Sequence, residues 1–413
     1  MKKLASVFLI FLSLLATTSF AQVQVTKKTF QRFKAVGINS PQLAQNTVTG
    51  EFLAVWLQSD GSGGHLVGRI TNKTGKTITP AMTFADDYWI FDLALAYNPI
   101  RNEYLLVYDD RPTDPGPRVI LGIRLDPAGK SIGNAINISK SIDTFRSNNW
   151  NPRVIFNPKT GGYSVVWEHN ENGFQLVGVS VSDAGKVGRA VVIRKATGDF
   201  PSHSALGCVP MDIAYHQPSG KLLVTYFRVR PDHAEDYFLA TLDALLKKVP
   251  ASASSKINKE PIHDDYIAGY GLESASIALH DNTGVIYFND NTSVKQRAIS
   301  LQGRPAGQIT QAFNAPVNQT EFAYQKALFS AGPGGTSGIL VAIPSDYGSV
   351  WAQPLDSNGA PVGTPTKLYT ASISSFALGQ LPATAATHSY LWLGTVNSNG
   401  RNGIVKLKLG VSD

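Results

Sequence analysis

The stretch LALAYNPIRNEYLLVYD, residues 93–109, decides the fold, because variants of it recur along the chain. Clear copies read PQLAQNTVTGEFLAVWL from Pro41, PRVIFNPKTGGYSVVWE from Pro152 and MDIAYHQPSGKLLVTYF from Met211, and weaker copies begin at Ala275, Lys326 and Phe376. Each copy has an alternating apolar segment, a turn rich in Asn, Pro, Thr and Gly, and a second segment dense in Val, Leu, Tyr and Trp. That pattern predicts a β-hairpin.

Two further strands are predicted after each hairpin. The third lies in segments such as VILGIRLDPAGK (119–130), whose turn is closed by a glycine able to adopt positive φ. Segments such as Thr77–Phe84 and Val187–Arg194 are predicted as fourth strands. A unit of four antiparallel strands that repeats about every 50 to 60 residues, with little helical periodicity, predicts an all-β, seven-bladed β-propeller.

The two ends of the chain are predicted to share one blade. The last copy supplies only three strands, the third spanning Gly403–Leu409, whereas Val23–Phe30 alternates like a strand before the first hairpin. Pairing these ends would remove two exposed sheet edges. A parallel β-helix or a tandem of sandwiches would not need this split blade. We further expect the blades to bury the aromatic residues of the second strands, among them Trp56, Tyr108, Trp167 and Tyr226.

The first residues predict export. Residues 1–21 combine Lys2 and Lys3 with a short apolar run and small residues before Gln22, which is typical of a signal peptide. Residues 22–413 are then one propeller domain, secreted or periplasmic, without a membrane span and expected to be a monomer. The single cysteine, Cys208, excludes an internal disulfide and is expected to be a buried, inert thiol.

The net charge and the spacing of the histidines restrict the partners and ligands that we expect. The formal net charge of +7 is spread along the chain without a Lys/Arg cluster, so we expect no nucleic-acid partner. The eight histidines show no short paired spacing, so we expect neither a metal site nor a cofactor.

Two segments of the second repeat resemble a known class of proteins. Leu95–Tyr108 and Ile123–Gly129 are similar to the units "YNPxTGEYLVVW" and "GxRLDxxG" of secreted bacterial β-propeller repeat proteins. The resemblance implies a propeller and an exported location, and it implies no activity.

Function is expected on the face where loops between blades meet the loops that join second and third strands. These loops mix aromatic and hydrogen-bonding side chains, a composition suited to sugar rings. Trp89 and Trp150 are predicted stacking surfaces, with Asp87, Asn149 and Arg228 orienting the ligand. The candidate ligand-binding residues are Asp87, Trp89, Asn149, Trp150, His169, His203, Arg228 and His233. This pattern predicts a binding or interaction propeller for cell-surface or environmental polysaccharide, or for an extracellular protein.

Two alternatives remain open from the sequence. The same residues are compatible with plain solvated loops. They are also compatible with a polysaccharide lyase using a His or Tyr base such as Tyr237, or with a glycoside hydrolase, which needs two carboxylates about 5 to 10 Å apart. Candidate acids are Asp87, Asp110, Glu168 and Asp264. No spacing fixes their geometry, so the sequence leaves open whether the protein is an enzyme.

Overall fold

The chain forms seven antiparallel β-sheets arranged as the blades of a ring. The structure is a computed structural model, and it describes residues 21–32, 37–59, 64–74, 76–87, 89–113, 116–171, 173–195, 208–229, 234–246, 254–258, 262–263, 275–289, 293–313, 322–332, 335–344, 348–381, 387–398 and 401–412. The predicted signal peptide therefore lies outside the described residues, except for Ala21. No helix in the described part of the chain is long and apolar enough to cross a bilayer.

The strands, in chain order, are β1 (Gln22–Arg32), β2 (Gly37–Gln45), β3 (Phe52–Ser59), β4 (Gly64–Thr71), β5 (Met82–Asp87), β6 (Leu93–Asn98), β7 (Glu103–Asp110), β8 (Val119–Leu125), β9 (Ile136–Asn137), β10 (Asn148–Asn157), β11 (Gly162–Asn170), β12 (Phe174–Val181), β13 (Val191–Lys195), β14 (Val209–His216), β15 (Lys221–Val229), β16 (Ala234–Asp243), β17 (Ser254–Lys256), β18 (Ile262–His263), β19 (Ala275–His280), β20 (Thr283–Asn289), β21 (Val294–Ile299), β22 (Pro305–Gln311), β23 (Phe322–Gly332), β24 (Gly335–Pro344), β25 (Ser349–Leu355), β26 (Thr366–Thr370), β27 (Ile373–Leu381), β28 (Thr387–Ser398) and β29 (Arg401–Ser412). A 3₁₀ turn, Gln217–Ser219, joins β14 to β15.

Successive groups of strands form the blades. Blades 1 to 6 are β2–β5, β6–β9, β10–β13, β14–β17, β19–β22 and β23–β26, and blade 7 is β27, β28, β29 and β1. Blade 4 departs from the predicted four strands, because the short strand β18 also pairs with β16. The prediction of a seven-bladed propeller is confirmed.

The chain ends close the ring as predicted. Strand β1 pairs antiparallel with β29, from Gln22 opposite Ser412 to Arg32 opposite Gly403. Val23 of β1 is only 2% exposed and belongs to the apolar cluster shared by blades 6 and 7. The first strand of the propeller is thus hydrogen-bonded to the last.

Aromatic side chains on the second strands fill the joints between blades. Trp56 packs against blade 7, and Tyr108 lies in the cluster between blades 1 and 2. Trp167 contacts blade 2 and Tyr226 contacts blade 3. All four are buried, which confirms their prediction as core. Burial of apolar surface contributes about 25 cal/mol per Å², so these joints are a main source of stability.

Asparagines at the hairpin turns connect one blade to the next. The side-chain oxygens of Asn46, Asn98 and Asn157 accept hydrogen bonds from backbone N–H groups within their own turns. Their side-chain amides donate to the following blade: to Asn102 Oδ1, to Gly161 O and to the carbonyl of Ala244, respectively. All three asparagines are fully buried, so the turn residue that shapes each hairpin also fixes the spacing of neighbouring blades.

The fourth strands begin later than the sequence predicts. Thr77 and Val187 form only isolated bridges with Thr71 and Val181, because a tight turn brings them back to the third strand. The chain then leaves the sheet and rejoins it at Met82 in blade 1 and at Val191 in blade 3. The predicted starts of these strands, Thr77 and Val187, are therefore wrong.

Replacing Val23 with Ala should lower the free energy of unfolding by about 1–3 kcal/mol, because it removes buried methyl groups from the closing strand. Val25, on the same strand, is 38% exposed, so Val25→Ala should change stability by no more than about 0.5 kcal/mol. Urea unfolding of both variants measures the difference. Equal losses would contradict the packing of β1 described above.

Candidate binding site

One end of the ring carries the loops between blades together with the loops that join second and third strands. Strand pairing places Asn148, at the start of β10, opposite Asn170, which in turn lies opposite Phe174. The backbone N–H of Asn149 donates to the carbonyl oxygen of Arg118, immediately before β8, and this bond links blades 2 and 3 at this end. We call this end of blades 2, 3 and 4 the loop face.

A buried carboxylate fixes the loop that enters blade 2. Asp109 accepts hydrogen bonds from the backbone N–H groups of Phe91 and Asp92, at 3.0 and 2.8 Å. It also pairs with Arg118 Nη1 at 3.0 Å, and that nitrogen donates to Trp89 O at 2.5 Å. The side chains of the pair are 1% and 4% exposed. Burial raises the pKa of Asp109 to about 6, an effect that outweighs the opposing attraction of Arg118.

Two aromatic rings lie above this network, each beside an arginine. Trp89 is half-buried, and the Arg111 guanidinium lies 5.2 Å from its ring centroid. Phe91 is 49% exposed, and Arg118 lies 4.5 Å from its centroid. The loop thus presents partly exposed rings on a buried ionic support.

Asn149 organises the neighbouring blade from a fully buried position. Its side-chain oxygen accepts from Trp167 Nε1 at 2.7 Å and from His169 Nδ1 at 2.8 Å. Its amide nitrogen donates to Arg118 O and Asp143 Oδ1 at 2.8 and 3.0 Å. The predicted ligand-orienting amide is therefore saturated by protein groups. Burial lowers the pKa of His169, which is 1% exposed.

A bulge in β10 separates a surface tryptophan from a buried arginine. The register shifts between Trp150 and Arg153, and Asn151 in the bulge has φ of 53° while its amide donates to Glu168 Oε2 at 3.0 Å. Trp150 is half-buried with its ring 6.5 Å from that of Phe174, at an interplanar angle of 30°. Three residues further, Arg153 lines the central channel.

The channel at the centre of the ring encloses a cavity of about 450 Å³, lined mainly by the first strands of blades 1 to 4. Its charged lining residues among those described are Arg153, Asp212 and Lys326. Arg153 Nη1 pairs with Asp92 Oδ2 at 2.8 Å, and its Nε donates to Met211 O at 2.9 Å. One guanidinium therefore joins blades 2, 3 and 4.

The remaining predicted residues are distributed unevenly. Arg228, at the end of β15, is half-buried with its guanidinium 5.2 Å from the Phe238 centroid. Asp87 is the last residue of β5, and its side chain lies outside the described part of the structure. His203 and His233, as well as Asp264 among the candidate acids, lie outside the described residues.

The structure brings Trp89, Trp150 and Arg228 to the loop face as half-buried side chains, and their contact with a ligand stays a prediction. Sequence reasoning missed Arg118 and Arg153, which hold the site together. The signal for Arg153 is its charge within the otherwise apolar strand PRVIF. Arg118 precedes its strand in a loop composition that carries no such signal.

Two observations concern metal ligation and thiol chemistry in the described residues. These contain no group of three or more His, Cys, Asp or Glu side chains arranged to hold a metal ion. Cys208 is buried, as predicted, and burial raises the pKa of its thiol to about 12.

No protein-family model matches the chain, and no curated protein matches it. Solved structures of similar fold include the polysaccharide lyase Uly1, at 12% identity and a TM-score of 0.53, covering 91% of this chain and 89% of that one. They also include the Dos1 propeller, at 10% identity and a TM-score of 0.50 over 94% of both chains. A structure described as NanB plus Optactamide has 10% identity and a TM-score of 0.50, covering 92% of this chain and 70% of that one. At these identities the likeness concerns the fold, which is that of a β-propeller.

Replacing Arg153 with Met should lower the free energy of unfolding by about 3–5 kcal/mol, because the Asp92 carboxylate is left buried without its cation. Arg101→Met is the matched control, since its 3.7 Å pair with Asp183 is 47% exposed on both sides and is worth about 0–1 kcal/mol. Adding Asp92→Asn to Arg153→Met should restore part of the loss. Equal effects of the two arginine variants in urea unfolding would contradict this role.

The Asp109 carboxyl should make stability depend on pH. Its folded pKa of about 6 exceeds the unfolded value of about 3.9, so the folded state binds more protons between these limits. The unfolding free energy of the wild type relative to Asp109→Asn should therefore fall as pH rises from about 4 to about 6. Denaturant unfolding at several pH values measures this difference, with Asp183→Asn as the exposed control. A difference independent of pH would contradict the raised pKa.

Proposed function

We propose that this chain is a glycan-binding propeller, with its ligand lying across the aromatic residues of the loop face. The observation that carries the proposal is a set of partly exposed rings over blades 2 and 3. Trp89 and Trp150 are half-buried, Phe91 is 49% exposed, and Phe145, in the loop before β10, is 78% exposed. Exposed apolar patches rimmed by polar groups are typical of interaction sites.

The chemistry of a sugar ring suits this surface. A pyranose presents C–H groups on its faces and hydroxyls around its edge, so it can stack on an aromatic ring while polar neighbours bind the edge. Arg111 lies beside Trp89, and the exposed Arg146 follows Phe145 directly in the chain. These cations favour a glycan that also carries carboxylate or sulfate groups.

The buried networks support a preorganised site. Asp109 holds the loop of Trp89 and Phe91 through three hydrogen bonds, and Asn149 uses both ends of its amide immediately before Trp150. Rings held in place before the ligand arrives lose less conformational entropy on binding. The saturated residues therefore contribute by positioning the exposed ones.

Burial also favours binding over catalysis at this face. Glu168 and His169 are 0% and 1% exposed, and each is hydrogen-bonded to an asparagine of β10. Tyr237, a candidate base, is 3% exposed. A general acid or base must reach its substrate within hydrogen-bond distance, which buried groups with protein partners do not. The similarly folded Uly1 is a polysaccharide lyase, so turnover is measured alongside binding.

Export belongs to the same proposal. The signal-peptide pattern of residues 1–21 would deliver the protein to the periplasm or the medium, where polysaccharide is accessible.

A panel of neutral and anionic oligosaccharides, titrated by calorimetry, tests the proposal. Trp89→Ala and Trp150→Ala should each weaken binding of the best ligand by about tenfold, equivalent to about 1.4 kcal/mol. Trp351→Ala is the matched control, because Trp351 is also half-buried beside a cation, Lys367, but belongs to blade 6. Its affinity should equal that of the wild type.

Two results would overturn the proposal. Unchanged affinity in both Trp89→Ala and Trp150→Ala would remove the loop face as the binding site. Release of unsaturated products or new reducing ends from any glycan in the panel would show an enzyme rather than a binding module.

A further inference from the structure

A row of four residues crosses blade 3 at the loop face, from the first strand of the blade to the last. Strand pairing places Trp150 opposite Glu168, Glu168 opposite Leu176, and Leu176 opposite Arg194. Directly paired residues project from the same side of a sheet, and Leu176 packs in the apolar cluster shared with blade 4. The whole row therefore faces blade 4. Adjacent strands lie about 4.8 Å apart, so the row is about 14 Å long.

Blade 4 supplies the opposite side of this joint. Phe238 stacks on Tyr226 with ring centroids 5.3 Å apart, and the Arg228 guanidinium lies 5.2 Å from the Phe238 centroid. Burial raises the pKa of the Cys208 thiol and of the Tyr226 hydroxyl to about 12. The positive charges of Arg194 and Arg228 oppose that rise in both groups. Both guanidinium groups therefore face the joint between blades 3 and 4.

The carboxylates of this joint have partners other than Arg194. Glu168 is fully buried and accepts a hydrogen bond from the Asn151 amide at 3.0 Å. Asp236, on blade 4, pairs with Lys256 at 2.7 Å. Arg194 is half-buried, and its guanidinium makes no hydrogen bond or ion pair with any described residue. A guanidinium stays protonated and carries five N–H donors, so this side chain is available to a ligand.

Two half-buried aromatic rings lie between the loop face and this guanidinium. Trp150 and Phe174 have their ring centroids 6.5 Å apart, at an interplanar angle of 30°. Phe174 is two positions before Leu176 on β12, so it projects from the same side of the blade. Because Leu176 pairs with Arg194, the guanidinium follows the two rings on the outer side of the blade. A sugar chain stacked on both rings would extend toward Arg194.

We propose that the joint between blades 3 and 4 selects a sugar residue that carries a carboxylate, with Arg194 pairing with that carboxylate. The inference rests on the glycan-binding function proposed above and names the class of glycan that the loop face prefers. The rings of Trp150 and Phe174 contact C–H groups of a sugar whatever its charge. A planar guanidinium binds a carboxylate through two parallel N–H···O bonds, which a neutral hydroxymethyl group does not match. Arg194 therefore adds affinity only where the acid is present.

Calorimetric titration of the full chain with matched oligosaccharides tests this inference. Tetramers of galacturonate, of mannuronate and of guluronate are each compared with the carboxyl-reduced tetramer, in which a hydroxymethyl group replaces every carboxylate. The acidic member of the tightest-binding pair should bind about tenfold more tightly than its reduced counterpart. Added salt should weaken binding of the acidic tetramer and leave that of the reduced tetramer unchanged, because salt screens only the charged pair.

Arg194→Gln should remove this preference and leave the rest of the site intact. Its affinity for the acidic tetramer should fall about tenfold, while its affinity for the reduced tetramer should equal that of the wild type. Lys195→Gln is the matched control, because it removes the same charge from the next residue, which is exposed. Lys195 pairs with Gln175, on the side of the sheet that faces blade 2, so this variant should keep the wild-type preference. Thermal unfolding of both variants checks that the ring is intact.

Failure of this inference is distinguishable from failure of the proposed function. Equal affinity of the wild type for acidic and reduced tetramers would overturn the inference and leave glycan binding in place. An unchanged preference in Arg194→Gln, or an equal loss in Lys195→Gln, would do the same. Binding of neutral oligosaccharides without binding of any acidic tetramer would also overturn it. Only the failure of every glycan to bind would overturn the proposed function as well.

Discussion

The packing of each blade against its two neighbours is the constraint on which the structure depends. A four-stranded sheet of this size leaves its apolar faces exposed when it stands alone. In the ring, each face packs against an adjacent sheet. The second strands supply large aromatic side chains to these joints, as Trp167 does against blade 2. Because every blade packs against two neighbouring blades, the ring must close. Pairing of β1 with β29 gives the last strand of the chain a hydrogen-bonded neighbour on its outer edge.

Hydrogen bonds fix the spacing that apolar contacts leave adjustable. A joint made only of aliphatic and aromatic groups permits small sliding motions, whereas Asn98 allows only the position in which its amide meets Gly161 O. Arg153 has the same effect nearer the axis, where its guanidinium joins three blades. The loops of the loop face are attached to blades whose spacing these hydrogen bonds fix. Short irregular segments can therefore hold Trp89 and Trp150 in place.

The parts of the structure that sequence reasoning could predict are those encoded by local pattern. The hairpins were predictable because apolar alternation and turn residues recur near Leu93, and ring closure followed from one missing strand. The bulge at Asn151 was not predictable, since a positive φ at a non-glycine residue in a strand has no reliable local signal. That bulge decides which side chains of β10 face the interior. The saturation of Asn149, the predicted ligand-orienting residue, was equally hidden, because its partners Arg118 and Trp167 lie 31 and 18 positions away in the chain.

Long-range polar pairs could not be predicted from the sequence for a different reason. Asp92 and Arg153 are separated by 61 positions, so the local sequence around either residue does not indicate its partner. Each is, however, an ionisable residue where the repeat pattern predicts apolar packing or a plain turn. The buried ion pair beside the loop face was therefore visible in part as a violation of the repeat, although its geometry was not.

Departures from the repeat are informative here because the repeat supplies its own reference. The position two residues before the end of a third strand is occupied by Ile123 and Val179 in blades 2 and 3, whereas blades 1, 5 and 6 carry Arg69, Arg297 and Gln353 there. Arg297 Nη1 donates to the backbone oxygens of Lys256 and Ile257, so the polar residue at this position links blade 5 to blade 4. Polar residues at a packed position can thus join neighbouring blades, as Arg153 does nearer the axis. A blade can therefore exchange apolar packing for hydrogen bonds at one position without altering the hairpins that carry the fold.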